Sequence, residues 1–276
     1  MQPNFFAANR MAILAAAAAC TVLTATVAMV LASTPDLRYD RMGVREIYPT
    51  KPGSYEWYLN ATHPRNGFVI SPAATILLSM GDGVWKITRE TDHPNDGVRM
   101  YVPSPVMWKN IEMTGYVKLD SYTFDEEFAW AARSGKHSQD NVCGATAYFG
   151  ALGFSGDSWF QKKVFHGNGY TNKRYSNAPV DPLLNRWVGL KLIAYNVDSD
   201  RAVRLELWVD NKADNNWVKV ADIVDNGGWS HKYPGACAKP ADYIITEPRP
   251  RAMFRVDNAE FEFKDLSVRE IDAHAS

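Results

Sequence analysis

In the last third of the chain, apolar side chains return at every second position, and that period confines the chain to extended structure. The stretch "RAVRLELWVD" sets Val203, Leu205, Leu207 and Val209 on one face, with Arg204, Glu206 and Trp208 on the other. "RWVGLKLIAYN" sets Val188, Leu190, Leu192 and Ala194 against Trp187, Lys191 and Tyr195, and "AMFRVDN" and "FEFKDLSVREI" alternate in the same way. Between the runs stand clusters rich in Gly, Asn, Asp and Ser, such as "NVDSD", "DNKADNN", "DNGGW", "FSGDS" and "HGNGY", whose residues favour turns. Past residue 33 no long stretch carries the i, i+3, i+4, i+7 spacing of an amphipathic helix. The expected fold class is therefore all-β, an antiparallel β-sandwich occupying residues 52–276 as one domain.

The order of these elements carries a resemblance. A Trp-led strand, "RWVGLKLIAYN", is followed by a short polar turn, then "RLELWVDN", "WVKVADIVD" and finally "FRVDNAEFEFKDLSVREI" with its Asp-Asn pair. Over about residues 185–271 this resembles the C-terminal half of the concanavalin A-like lectin/glucanase superfamily, and residues 52–184 match by architecture alone. The resemblance implies a jelly-roll sandwich whose concave sheet binds, hydrolyses or eliminates polysaccharides. It does not choose among those activities, because one fold hosts many sites.

The N-terminus speaks to location. Arg10 precedes an uncharged run from Met11 to Ala32, long enough as a helix to cross a bilayer core of ~30 Å. Val30 and Ala32 are small residues at −3 and −1 of a cut before Ser33, so a cleaved signal peptide and a retained signal anchor both fit residues 1–33. Either exports the remainder of the chain to the cell surface or beyond, with residues 34–51 read as a short stalk and any membrane contact confined to the N-terminal segment. Cys20 lies in the apolar run, which leaves Cys143 and Cys237 as a pair; in an oxidising compartment a disulfide between them is expected. It would close a loop of roughly 95 residues and stabilise by up to ~4–5 kcal/mol. A net charge of −1 gives no electrostatic reason to expect nucleic acid as a partner.

Chemistry is looked for in the middle of the chain. A glycosidase needs two carboxylates flanking the scissile bond, and the superfamily's E-x-D-x-x-E strand pattern is absent; Glu260 and Glu262 share a strand face without the rest of it, and "FDEEF" (124–128) reads as an acidic turn. A polysaccharide lyase needs a Tyr or His base and cationic groups that neutralise a uronate carboxylate. Here the residue types are present: His137, Tyr148 and His166 are the candidate bases, and Arg133, Lys136, Lys162 and Tyr170 the candidate ligand contacts. A hairpin of 143–152 with 160–166 across "SGDSW" would gather them on one sheet. The superfamily's "RSELR"-like strand and "Q-I-H" triplet are absent, so a binding module is the first reading, a lyase the second and a structural surface protein the third. "NVDSD" spaces Asn196, Asp198 and Asp200 like the start of a calcium loop but has no Gly after them, and position twelve is Leu207. A hairpin turn is expected there instead, with no cofactor and calcium as the alternative. "NAT" at 60–62 is a glycosylation sequon.

Overall fold

The computed structural model describes residues 37–88, 97–135, 144–165, 169–178, 180–229 and 242–273. Their strands are β1 (Glu56–Tyr58), β2 (Val69–Ser71), β3 (Ile76–Gly81), β4 (Val84–Thr88), β5 (Val98–Trp108), β6 (Ile111–Tyr122), β7 (Glu127–Ser134), β8 (Ala147–Gly153), β9 (Ser158–Lys163), β10 (Arg174–Tyr175), β11 (Trp187–Val197), β12 (Ala202–Asp210), β13 (Val218–Asp225), β14 (Arg249–Val256) and β15 (Ala259–Glu270). They form two antiparallel sheets, one ordered β13-β12-β11-β6-β15-β4-β3 with β1 paired on β15, the other β10-β9-β8-β7-β14-β5-β2. This is the β-sandwich that the period of two predicts. Among the described residues no helix is long and apolar enough to cross a membrane; the 11–32 run, Lys136, His137, Cys143, His166 and Cys237 lie outside them.

Alternation explains the layers. Val188, Leu190, Leu192 and Ala194 of β11 and Val203, Leu205, Leu207 and Val209 of β12 face inward, where they meet Phe128, Trp130, Tyr148, Leu152, Phe160 and Phe254 of the other sheet. The sheets come close at Gly150, where a β-carbon would lie 2.7 Å from Leu207 Cδ1 and 2.8 Å from Leu192 Cδ1. The "VDN" pair, Asp257–Asn258, sits at the corner between β14 and β15, where the chain leaves one sheet for the other; Asn258 takes φ 55°.

Residues 37–51, expected as a stalk, are folded onto the outer face of the eight-stranded sheet. Glu112, fully buried on β6, accepts the backbone N–H groups of Ile47 (3.1 Å) and Tyr48 (3.2 Å) on Oε2, while its Oε1 meets Lys191 Nζ at 2.7 Å and Arg269 Nη2 at 2.8 Å. Arg269 in turn reaches Glu46 and Thr50. Burial alone would raise the Glu112 carboxyl, but Lys191 and Arg269 outweigh it and hold it below its ordinary value.

Candidate functional site

The hairpin β8–β9 forms as expected, with Tyr148 opposite Lys162. A hairpin has two faces, however, and these two residues point between the sheets. The Tyr148 hydroxyl donates to Asp225 Oδ2 at 2.5 Å, Lys162 Nζ donates to the same oxygen at 2.7 Å, and all three side chains are fully buried. Lys162 also donates to the Tyr243 carbonyl, and the Ile245 N–H donates to the Tyr148 hydroxyl. Burial, then the Asp225 charge, pushes the Tyr148 hydroxyl well above its ordinary value. A glycan on the surface cannot reach this cluster; its evident work is to tie β8 and β9 to β13 across the core.

Arg133 is also interior. Between Ala131 and Ser134, β7 advances three residues while β14 advances two, from Met253 to Arg251, so the strand carries an extra residue. Arg133 takes φ 54° there, and its guanidinium turns inward to the carbonyls of Lys109 (3.0 Å) and Ile245 (2.5 Å). After the bulge, Ser134 returns to the outer face.

That outer face of the seven-stranded sheet holds Tyr170, together with residues that no motif in the sequence singles out. Ala129, Ala131, Ala147 and Ala151 make a low floor, bordered by Tyr101, Phe149, Trp159 and Met253. The segment 169–178 folds back over it: Tyr170 packs edge-on against Phe149 at 5.5 Å, Tyr175 lies 5.5 Å from Trp159, and Lys173 sits 3.8 Å above the Trp159 ring. A bridge between Lys163 and Tyr170 and the bond from Gln161 Nε2 to the Thr171 carbonyl (2.8 Å) hold the segment down.

Beside Tyr170 opens a cavity of about 40 Å³, lined by Arg99, Tyr101, Ser134, Gly135, Thr146, Phe149, Lys163 and Tyr170, among others. Lys163 Nζ lies 5.0 Å from the Tyr170 ring centroid, and Arg255 Nη1 donates to the Tyr170 hydroxyl at 2.8 Å while Asp257 clasps the same guanidinium. Burial, then the nearby charges of Arg255 and Arg99, pulls the Lys163 amine down to about 8. Alternation in "VRMYVP" already puts Arg99 and Tyr101 on one face, and Lys163 must face opposite to Lys162; those signals were legible.

The carboxylates lie elsewhere. Glu262 pairs with Lys118 at 2.9 Å and Glu260 reaches Lys86 at 4.0 Å, on strands of the eight-stranded sheet. In the "NVDSD" turn, Asp198 is paired with Arg201 (2.6 Å) and Asp200 with Lys109 (2.9 Å), and residues 198–200 all have positive φ. It is a hairpin turn whose two carboxylates are already met by cations. Among the described residues no group of three or more His, Cys, Asp or Glu is placed to hold a metal.

No family model matches the chain, and no curated protein matches it. Among solved structures it is similar to a carbohydrate binding module, CBM66 from Bacillus subtilis, at 13% identity and TM-score 0.44, over 74% of this chain and 95% of that one. It is also similar to the exoplasmic/lumenal domain of VIP36 in a Ca2+-bound form, at 13% identity and TM-score 0.49, over 77% of this chain and 87% of that one. Peanut lectin with a 9mer peptide overlaps at 9% identity and TM-score 0.43, over 79% and 99%. These overlaps are of sheet arrangement, and too loose to carry a ligand across.

Proposed function

We propose that the protein is an exported or membrane-tethered polysaccharide-binding sandwich, and that the glycan lies on the outer face of the seven-stranded sheet. What carries the reading is the gathering of Tyr170, Arg99 and Lys163 around one cavity on that face, with Tyr175 packed on Trp159 of the same face. Aromatic rings offer flat apolar surface to the C–H faces of sugars, and the cations and hydroxyls beside them supply donors for sugar oxygens. Titration of the protein against a panel of immobilised neutral and acidic polysaccharides tests it. At least one is expected to bind, and Tyr170→Ala is expected to weaken it about fivefold, on the order of 1 kcal/mol. Binding to none of them, or binding indifferent to Tyr170, would remove the reading.

Eliminative cleavage of a uronate chain is the second reading, favoured by the cations set beside Tyr170. His137 and His166 remain its candidate bases, and Tyr148, buried against Asp225, does not serve. Ultraviolet absorbance from an unsaturated product would establish it; a flat trace with uronate polymers would leave binding alone. Export is supported by Arg10, the 11–32 run and the two remaining cysteines. Non-reducing peptide mapping is expected to recover Cys143 linked to Cys237, and two alkylatable thiols there would contradict it.

A further inference from the structure

We propose that the cavity beside Tyr170 is an anion anchor, taking the carboxylate of an acidic sugar, so that the bound polysaccharide bears uronate residues. The inference rests on the glycan-binding reading of this face and adds to it the class of sugar.

Size is the first argument. At about 40 Å³ the cavity has room for a few waters and is too small for a pyranose ring. A carboxylate fits that space, with the ring it belongs to left at the rim, where Tyr170 stands partly exposed.

Charge is the second. Arg99 and Lys163 both line the cavity, from β5 and β9. Arg99 is seen to donate to the Gly97 carbonyl at 3.0 Å, which uses one of its five N–H donors. The walls beside the cations are rings and small side chains (Tyr101, Phe149, Ala145, Ala147), and Ser134 and Thr146 in the same lining carry hydroxyls. Among the described residues, Arg99 and Tyr101 from β5, Arg255 from β14 and Tyr170 from the covering segment face Lys163. Burial first, and then the like charges of Arg255 and Arg99, pull Lys163 down; a carboxylate between Arg99 and Lys163 offsets the repulsion between those two. Arg255 is clasped by Asp257, and its part is to hold the Tyr170 hydroxyl at the rim.

The experiment compares full-length protein binding to oligogalacturonate and oligoglucuronate, to the same oligosaccharides after carboxyl reduction, and to a sulfated galactan. Uronate binding is expected to fall at least tenfold on carboxyl reduction, and at least tenfold in both Lys163→Met and Arg99→Gln, with thermal melts confirming that each variant is folded. The affinity is also expected to drop as pH rises through about 8, where Lys163 loses its proton, and that drop should vanish in Lys163→Met. Equal binding of the carboxyl-reduced oligosaccharides would overturn the anchor and leave the glycan-binding face standing. Preference for the sulfated galactan over both uronates would overturn the carboxylate assignment. Binding to no glycan of any kind would sink the underlying reading as well.

Discussion

Replacing Glu112 by alanine is expected to lower stability by about 3–5 kcal/mol, the usual cost of removing one partner from a buried ion pair. For a domain of this size that is a fall in melting temperature on the order of 10 °C. The reason lies in what would be left behind. Lys191 and Arg269 are fully buried and both meet Glu112 Oε1, while the N–H groups of Ile47 and Tyr48 meet Oε2. Without the carboxylate, two cations lose their shared counter-ion and the 37–51 segment loses its attachment to β6. Glu112→Gln keeps one acceptor oxygen and is expected to cost less than alanine. Proton linkage gives a second readout. The folded pKa of Glu112 is lowered, so its contribution is complete above the unfolded value, about 4.3, and is lost as pH falls through the lower folded one. Acid unfolding followed by circular dichroism should therefore be less steep in Glu112→Ala than in the parent. A melt within 1–2 °C of the parent, roughly the span of half a kcal/mol, would show that the segment is held by other contacts.

Asp225→Ala is expected to cost a similar amount, about 3–5 kcal/mol, through the opposite side of the sheet. Asp225 Oδ2 is shared by Lys162 Nζ and the Tyr148 hydroxyl in a fully buried setting, and Asp225 belongs to β13 while its partners belong to β8 and β9. The substitution strands an ammonium between the sheets, where burial already depresses Lys162 below its ordinary value. Removing both charges at once, as Lys162→Met with Asp225→Leu, is expected to be milder than Asp225→Ala alone, because it leaves no buried charge unpaired, although the Tyr148 hydroxyl still loses its acceptor. Chemical denaturation of the two single variants and the double variant measures the coupling. A double variant weaker than Asp225→Ala would mean that the pair stabilises the sandwich beyond mutual neutralisation.

These two clusters also explain what the sequence could and could not disclose. Strands β11 and β12 and the hairpin between them follow directly from "RWVGLKLIAYN" and "RLELWVDN", because each has one face that is apolar throughout, and β13 follows as the next strand after "DNKADNN". In "GATAYFGALGF" both faces are apolar or small, so alternation groups Tyr148 with Lys162 without saying which side is the inside. The aspartate that decides it stands in β13, 77 residues from Tyr148. Arg133 misled for another reason: a single extra residue in β7 reverses the face, and a bulge of that kind has no period to betray it. Residues 37–51 looked like a stalk because their anchor, Glu112, is some 65 residues distant and charged rather than apolar. Of the named site residues that are described, Tyr170 alone stands on the outer face beside the cavity; Arg133, Tyr148 and Lys162 are interior.

The central claim is that a glycan occupies the outer face of the seven-stranded sheet, and hydroxyl-radical footprinting with a bound oligogalacturonate tests it directly. Tyr170 and Tyr175 on that face should be shielded from oxidation, while Met80 on β3 and Phe124 beyond β6, both exposed, should react as in the free protein. Shielding of Met80 or Phe124 with Tyr170 and Tyr175 unchanged would place the ligand elsewhere and contradict the account.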